Sequence, residues 1–238
     1  MKENKKVSKK KLIFDFDNTL AYRDGMWTAT IHEILRENGY QDISYNEIEP
    51  FTRIGFPWYD YEIPHEKFFK DLSWWGYMEK MIESILIKLN IDNSKANKLS
   101  KLFKDKYLNI EKWHLFDDTY EVLEQANNNN YKCYILTNHT PEIHDIINGL
   151  GLNGVIKKVF NSADIGYEKP HYKIYQSLLN DLADEPENFI MIGDNYISDI
   201  TGARSNGMYA ILVRSENKYN YKYYSKDLKN IFGIINKI

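Results

Sequence analysis

The 238-residue sequence has a single cysteine, no long apolar run and no excess of basic residues. One thiol, that of Cys133, excludes a disulfide framework and a thiolate metal cluster. No stretch approaches the ~18 apolar residues that a transmembrane helix needs. The 31 lysines and arginines are outnumbered by 34 aspartates and glutamates, which argues against a nucleic-acid-binding surface. These absences predict a soluble cytoplasmic protein that binds neither nucleic acid nor membrane.

The lysine-rich start, MKENKKVSKKKL, does not read as a signal peptide. The residues that follow, LIFDFDNTL, carry two acids, and no small-residue cleavage site appears. We expect a solvated N-terminal fringe. The apolar fraction of 43% and the aromatic fraction of 15% are typical of a globular protein, whose length allows one large domain or two modest ones.

Short apolar runs followed by turn residues predict buried parallel strands. These runs are Leu12–Phe16, Cys133–Leu136, Lys158–Asn161, Phe189–Ile192 and Ala210–Val213. Helical patterns separate the last four runs, among them TPEIHDIINGLG, with Thr140 as a plausible N-cap and Gly151 at its end. The alternation predicts an α/β fold with a doubly wound, mostly parallel, five-stranded Rossmann-like sheet.

A long insert separates the first strand from the helix DDTYEVLEQANN, although a crossover needs only about a dozen residues. It contains helical patterns of its own, such as MWTATIHEILRENG, HEKFFKDLSWWGYMEKMIESILIKLN and SKANKLSKLFKDKYLNI. We expect residues 21–113 to form an α-helical cap domain, and residues 1–20 and 114–238 to form the catalytic core. At the other end, YNYKYYSKDLKNIFGIINKI predicts a closing helix with three residues facing inward, Leu228, Ile231 and Ile235.

Two carboxylates, Asp15 and Asp17, stand where the first strand should end. Residues i and i+2 of a strand face the same side, so both can point into one crevice at the carboxyl edge of the sheet, where ligands of such sheets bind. Two like charges ~6 Å apart repel by roughly 2–3 kcal/mol at an effective dielectric constant of about 20. The pair therefore indicates a cation between them, and capping of a turn is the alternative.

Polar residues also follow three later strands. Thr137 and Asn138 stand between a strand and a helix N-terminus, where a hydroxyl, an amide and free N–H groups can hold an anion. Lys169 begins the segment KPHY, and Asp194 and Asp199 in GDNYISD add oxygen ligands of the type that Mg²⁺ prefers. Taken singly, each could be an ordinary turn, surface or capping residue. Together they predict one site.

These motifs, in this order, resemble those of the haloacid dehalogenase-like hydrolase superfamily. DFDNTL is similar to its first motif, Thr137 to its second, Lys169 to its third and GDNYISD to its fourth. One departure is Asn18, where glycine is more usual, although asparagine also tolerates unusual backbone angles. The insert is similar to the cap that many members carry after strand one.

The resemblance implies a Mg²⁺-dependent phosphatase of a small phosphorylated metabolite, acting through an aspartyl-phosphate. Asp15 would be the nucleophile, and Asp17 would protonate the leaving oxygen and then activate water. The resemblance implies that three residues hold the phosphoryl oxygens: Thr137, Asn138 and Lys169. Of these, Thr137 and Lys169 are also implied to be catalytic. The groups implied to bind Mg²⁺ directly are the Asp15 carboxylate, the main-chain carbonyl of Asp17, and Asp194. Asp199 is implied to act indirectly, behind a direct ligand or through a water molecule.

Substrate choice is expected to lie with the insert, which is rich in aromatic residues. Arg53 could reach a second anionic group of the substrate, and Tyr22 and Arg23, directly after the first motif, could touch it. The alternative is that the aromatic residues form the core of the insert and that Arg53 is a surface charge. The six histidines show no metal-ligand spacing, and we interpret His139 and His171 as incidental neighbours of the site.

Other functions share part of this pattern. A sugar-phosphate mutase of the same superfamily would keep all the core residues, and so would a protein that binds phosphate esters without turning them over. A phospho-receiver domain also uses Asp, Thr, Lys and Mg²⁺ but has no insert of this size. The acid at Asp17 favours phosphoryl transfer, because dehalogenases of the family do without it. The sequence specifies neither the substrate nor the oligomeric state.

Overall fold

The apolar runs of the sequence fold as the strands of one central sheet in a computed structural model that describes residues 10–70 and 72–238. The expected N-terminal fringe lies largely outside the described residues. The strands are β1 Lys11–Phe14, β2 Ala21–Arg23, β3 Trp113–Leu115, β4 Lys132–Thr137, β5 Val159–Asn161, β6 Phe189–Gly193, β7 Tyr209–Val213 and β8 Tyr224–Ser225.

Helices connect these strands and fill the insert. They are α1 Met26–Glu37, α2 Tyr45–Ile48, α3 His65–Phe69, α4 Trp74–Lys88, α5 Asn93–Ser100, α6 Phe103–Leu108, α7 Thr119–Asn128, α8 Ile143–Gly149, α9 Ser162–Ile165, α10 Tyr172–Leu182, α11 Gly202–Ser205 and α12 Ile231–Ile235. Short 3₁₀ turns cover Glu49–Arg53, Ile110–Lys112 and Pro186–Asn188, and a π-helical segment covers Tyr196–Thr201. Within the described ranges, none of the helices has both the length and the apolar character that crossing a membrane requires.

The main sheet is parallel and has the strand order β5-β4-β1-β6-β7-β8. Strand β1 lies at its centre, with Leu12 opposite Cys133 of β4 and opposite Ile190 of β6. Leu12 and Phe14 pack into the hydrophobic cluster on one face, and Ile13 packs into the cluster on the other. Because both faces are covered, β1 is apolar throughout its centre, as is typical of parallel sheets. The α/β prediction and all five predicted strands are confirmed.

The C-terminal segment differs from the prediction of one closing helix. Its tyrosines, which favour strands, add the sixth strand β8 at the edge of the sheet, where Tyr224 pairs with Leu212. Helix α12 is confined to the last residues. The three residues predicted to face inward are buried: Leu228, Ile231 and Ile235.

The segment between β1 and α7 contains α1–α6 and a small antiparallel sheet in which Ala21 of β2 pairs with Leu115 of β3. Two predicted helical patterns are each split. Helices α3 and α4 are separate, since Ser73 caps α4 by accepting a hydrogen bond from the Gly76 N–H at 3.0 Å. Helices α5 and α6 replace the other pattern, and Leu102, which lies between them, is 43% exposed. The division into a core and a cap domain stays a prediction.

Helix α8 begins later than predicted. Its first residue is Ile143, so Thr140 is not its N-cap. The carbonyl of Thr140 instead accepts a hydrogen bond from the Ile143 N–H in the turn that precedes the helix, at 3.2 Å. Gly151, predicted to end the helix, follows its last turn with a φ of 75°, a conformation that glycine adopts without strain. Strand β4 and the start of α8 are therefore joined by a tight loop rather than by a capped helix start.

Candidate active site

Three carboxylates meet at the carboxyl edge of the sheet. Asp15 follows β1, and its N–H donates to the carbonyl of Ile192 at 2.9 Å, which extends the pairing with β6 by one residue. Asp194 follows β6 directly, and Asp199 lies in the π-helical segment. Carboxylate oxygens of these three residues all lie within 4.8 Å of one another. The structure thus brings together the acids of the first and fourth motifs.

Lys169 bridges two of these acids. Its Nζ lies 2.8 Å from Oδ1 of Asp15 and 2.7 Å from Oδ1 of Asp199, and the side chain is 1% exposed. Burial disfavours the ammonium, but the two carboxylates outweigh it and raise the pKa of Lys169 above its usual value. The lysine is therefore a permanent cation in the site.

Asn138 fixes the main chain that carries this lysine. Its Nδ2 donates to the carbonyl of Lys169 at 3.0 Å, and its Oδ1 accepts the Lys169 N–H at 2.6 Å. Phosphate binding by the Asn138 backbone, which the motif resemblance implies, stays a prediction. The side chain has a different task, because both of its polar atoms are occupied by Lys169.

Asp199 is held on both oxygens. Lys169 binds Oδ1, and the N–H of Asn195 donates to Oδ2 at 3.0 Å. Gly193 leaves the space for this carboxylate, since a β-carbon there would lie 2.1 Å from Oδ2 of Asp199. Burial raises the pKa of Asp199, and Lys169 acts in the opposite direction.

Asp194 has fewer partners. The hydroxyl of Thr19 donates to its Oδ1 at 3.4 Å. Burial and the charges of Asp15 and Asp199 raise the pKa of Asp194 above its usual value. The cluster therefore holds more negative charge than one lysine balances. Hard oxygen donors with such an excess of charge fit a divalent cation.

Asp17 lies near this cluster but is not one of its three acids. Asn18, the next residue, has a φ of 57°, and its N–H donates to the carbonyl of Ala21 at 2.7 Å. Burial, followed by the charges of Asp15 and Asp194, raises the pKa of Asp17 well above its usual value. A carboxyl group in this environment keeps its proton more readily than a free one and can donate it.

Thr137 and His139 extend the site from the end of β4. Thr137 is fully buried, and within residues 10–70 and 72–238 its hydroxyl has no hydrogen-bond partner. Nε2 of His139 lies 3.7 Å from Oδ1 of Asp17. The interpretation of His171 as incidental agrees with its structural role, because its Nδ1 accepts the Lys173 N–H at the start of α10. His139, by contrast, faces a predicted catalytic acid.

The three insert residues proposed to contact substrate line one cavity of about 910 Å³ together with Asp15 and Asp17. The exposed Arg53 side chain is bound at 2.5 Å by Oε1 of Glu49. Tyr22 packs its ring 4.8 Å from that of Phe116. These positions are compatible with substrate contact, which stays a prediction for both residues.

Arg23 is more enclosed than the sequence suggests. The side chain is buried, and its guanidinium donates to the carbonyls of Met26 at 3.5 Å and Lys106 at 3.3 Å. Glu33 lies 3.6 Å from Nη2, and burial lowers the pKa of Arg23. Most of the guanidinium is thus occupied by the protein itself, and contact with substrate stays a prediction for it as well.

The aromatic residues of the insert mostly pack together, as the alternative interpretation proposes. The ring of Trp27 lies 4.8 Å from that of Phe103 and 5.1 Å from that of Phe56, and Phe56 is fully buried. Trp75 is buried too, and its indole N–H donates to Glu142 at 2.9 Å. Aromatic residues of the insert also line the cavity, among them Trp58, Tyr59, Tyr61 and Trp74.

A buried pair links the insert to the site. Nε2 of His65, the first residue of α3, lies 2.8 Å from Oε1 of Glu168, and both side chains are at most 4% exposed. The N–H of His65 also donates to the carbonyl of Gly166 at 3.0 Å. Glu168 precedes Lys169 in the chain. No sequence signal pointed to this pair, since its members are 103 residues apart.

Comparisons with known proteins agree with this architecture. Residues 12–213 match the model of a family described as haloacid dehalogenase-like hydrolase. A glyceraldehyde 3-phosphate phosphatase of Methanothermobacter thermautotrophicus is 31% identical over 102 residues, which cover 42% of this chain and 45% of that protein. The pyrophosphatase PpaX of Oceanobacillus iheyensis is 28% identical over 156 residues, covering 61% and 72% respectively. The chain thus spans less than half the length of the first relative and about seven tenths of the second.

Solved structures share the fold over nearly the whole chain. The crystal structure of a HAD phosphatase from Thermococcus onnurineus aligns with a TM-score of 0.64 at 21% sequence identity. The alignment covers 95% of this chain and 97% of that one. The insert is therefore included in the shared architecture.

Proposed function

The chain belongs to the haloacid dehalogenase-like hydrolase family, and within it we propose a Mg²⁺-dependent phosphatase that hydrolyses a small phosphorylated metabolite. One observation carries the proposal: Nζ of Lys169 lies 2.8 Å from Oδ1 of Asp15 and 2.7 Å from Oδ1 of Asp199 at the carboxyl edge of the sheet. The phosphatase and the pyrophosphatase among the relatives support the same chemistry.

Asp15 is the proposed nucleophile. Its Oδ1 is occupied by Lys169 at 2.8 Å and by the N–H of Phe16 at 2.7 Å, which leaves Oδ2 to attack phosphorus. A bond forms between Oδ2 and phosphorus while the bond from phosphorus to the leaving oxygen breaks, giving an aspartyl-phosphate. Lys169 and the hydroxyl of Thr137 stabilise the charge on the phosphoryl oxygens.

Asp17 carries the protons in both halves of the reaction. Its carboxyl group donates a proton to the leaving oxygen as the first bond breaks. The resulting carboxylate then takes a proton from the water that attacks the aspartyl-phosphate. The bond between Asp15 and phosphorus breaks, which frees the Asp15 carboxylate and releases phosphate. Because each half reverses the proton change of the other, Asp17 is restored after every turnover.

The residues present fit a divalent metal ion, which we propose to be Mg²⁺. Asp15, Asp194 and the main-chain carbonyl of Asp17 would hold it, and the bound ion would offset the charge of the carboxylates and of the transferred phosphoryl group. Asp199, which is bound by Lys169 and by the N–H of Asn195, would contribute indirectly, through water.

We propose that residues 21–113 act as a cap domain on a core of residues 1–20 and 114–238, in a cytoplasmic enzyme. The antiparallel pair of β2 and β3 lies at the two junctions of this insert with the core. In this arrangement Arg53 and Tyr22, which line the cavity, select the ester.

The proposal is tested by phosphate release from an aryl phosphate in the presence of Mg²⁺. Asp15→Asn should lose at least about a thousandfold in kcat, because the nucleophile is removed. Asp24→Asn is the matched control, since Asp24 is an exposed acid that lines the same cavity. Acid-quenched wild-type enzyme should carry phosphate on Asp15.

Two outcomes would contradict the proposal. In one, Asp15→Asn turns over as fast as Asp24→Asn. In the other, the wild-type protein binds phosphate esters across a broad panel and releases no phosphate, which would identify a binding protein.

A further inference from the structure

Two polar atoms face each other across the proposed site with no partner of their own. Oδ1 of Asp17 and Nε2 of His139 are 3.7 Å apart, slightly beyond hydrogen-bonding distance. Both atoms are buried, and within the part of the chain that the structure describes neither makes a hydrogen bond. Unpaired buried polar atoms are costly, so this juxtaposition calls for an explanation.

The imidazole of His139 is held firmly in place. Its ring centroid lies 5.3 Å from that of Trp113 and 5.6 Å from that of Phe16, which it meets edge to face. Its main-chain N–H donates to Oδ1 of Asn161 at 3.2 Å. A ring fixed by this packing can orient a neighbouring side chain.

The surroundings of Nδ1 favour the tautomer that carries the ring proton on Nε2. Nδ1 lies 3.2 Å from the hydroxyl oxygen of Thr140 and 3.4 Å from the Thr140 carbonyl oxygen. That carbonyl already accepts from Nδ2 of Asn161 at 2.9 Å and from the Ile143 N–H at 3.2 Å, which uses both of its lone pairs. With the carbonyl satisfied, the Thr140 hydroxyl is free to donate to Nδ1, and in that tautomer the N–H of the ring faces Asp17.

We propose that His139 is a positioning residue, which donates from Nε2 to Oδ1 of Asp17 and so directs Oδ2 of Asp17 toward the leaving oxygen. The inference rests on the proposed phosphatase function. A shift of the Asp17 carboxyl group by ~1 Å closes the contact, and catalytic hydrogen bonds are often this long before substrate binds.

His139 itself transfers no proton in this scheme. Oδ2 of Asp17 gives its proton to the leaving oxygen as the bond to phosphorus breaks, and the new carboxylate is stabilised by the N–H of His139. The carboxylate later regains a proton from the attacking water. His139 neither gives up nor takes up a proton in either half of the reaction.

The test compares two esters in the first turnover, with enzyme in excess over substrate. 4-Nitrophenyl phosphate releases an acidic phenol that needs little protonation, whereas phenyl phosphate releases a weakly acidic one. His139→Leu should slow phenol release from phenyl phosphate by about a hundredfold, the lower end of a general-acid effect, and should slow 4-nitrophenol release by less than about threefold. Asp17→Asn should show the same selectivity for the leaving group.

His139→Gln is the conservative variant, because the glutamine amide presents an N–H near the position of Nε2. It should recover most of the rate on phenyl phosphate. His144→Leu is the matched control, since His144 is an exposed histidine of α8, and it should behave as wild type on both esters. The ratio of the two rates does not depend on the folded fraction, so a loss of stability in His139→Leu leaves the test valid.

Equal losses on the two esters in His139→Leu, or a glutamine variant as slow as the leucine variant, would overturn the inference. Failure of the proposed function has a different signature, because the wild-type protein would then release neither phenol, and the role of His139 would fall with it.

Discussion

Gly193 and Asp199 are in contact at the centre of the site: a β-carbon on Gly193 would lie 2.1 Å from Oδ2 of Asp199 and 2.3 Å from its Cγ. The glycine thus provides the space from which the carboxylate reaches the ammonium of Lys169 and the N–H of Asn195. The position of the lysine therefore depends on the absence of a side chain at Gly193.

Gly193→Ala should therefore displace Asp199 and lower both stability and activity. We expect a loss of about 1–3 kcal/mol in the free energy of unfolding, as for other overpacked sites, measured by urea denaturation. The rate of phosphate release should fall by at least about tenfold, which corresponds to about 1.4 kcal/mol of lost transition-state stabilisation. Gly154→Ala is the control, because no heavy atom lies within 4 Å of a β-carbon there. A Gly193→Ala protein that matches this control would refute the argument.

Asp194→Asn should separate the effect of the metal ion from that of charge repulsion. Without divalent ions the variant should be at least as stable as wild type, because one acid of a crowded cluster becomes neutral. Added Mg²⁺ should raise the melting temperature of wild type, by the equivalent of about 2.7 kcal/mol at a hundredfold excess over Kd, and should hardly change that of Asp194→Asn. Asp24→Asn should keep the full response. An undiminished response in Asp194→Asn would remove this residue from the metal site.

Arg53→Ala should affect selectivity and leave stability almost unchanged. The side chain is 66% exposed, so its ion pair with Glu49 contributes little to stability. We expect an unchanged kcat/KM for a generic aryl phosphate and a fall of about tenfold for an ester that carries a second anionic group. Arg36→Ala, an exposed arginine of α1, should change neither value. Equal losses on the two substrates would show that Arg53 does not select.

Asp184 should make stability depend on acidic pH. Hydrogen bonds from Lys11 and Asn188 lower the pKa of Asp184 from 3.8 to about 2. Because the folded-state pKa is the lower one, the stabilisation is complete well above pH 3.8 and is lost as the pH falls through about 2. Asp184→Asn should cost about 1 kcal/mol at neutral pH, and the difference from wild type should narrow below pH ~4 in urea denaturation.

The control for this prediction is Asp181→Asn, whose ion pair with Lys158 is more exposed. It should change the free energy of unfolding by less than about 0.5 kcal/mol. A gap between Asp184→Asn and wild type that stays constant between pH 7 and pH 3 would contradict the assignment.

Much of the fold follows from patterns that one segment carries by itself. Apolar runs such as that around Leu12 identify the parallel strands, because a central strand is buried on both faces. Strands β2 and β3, three residues each, are too short for an alternation to be recognised, and their pairing depends on the distant partner. The same holds for Tyr224 and Ser225, which join the sheet only because β7 offers an edge.

Some features of the site could likewise be predicted from the sequence, and others could not. The carboxyl edge of a parallel sheet gathers the residues that follow its strands, so the approach of Asp15, Lys169 and Asp199 could be predicted. Their catalytic and metal-binding roles stay predictions. The contacts of His139 with Asp17 and of His65 with Glu168 could not be predicted, because each joins residues far apart in sequence whose neighbours give no shared pattern.

The contact between His65 and Glu168 connects the inserted segment directly to the proposed active site. Glu168 is joined by one peptide bond to Lys169, whose ammonium touches the proposed nucleophile. If α3 undocks to admit substrate or release product, water reaches a buried carboxylate one residue away from that ammonium. The docking of α3 against Glu168 and the electrostatic environment of Lys169 are therefore linked.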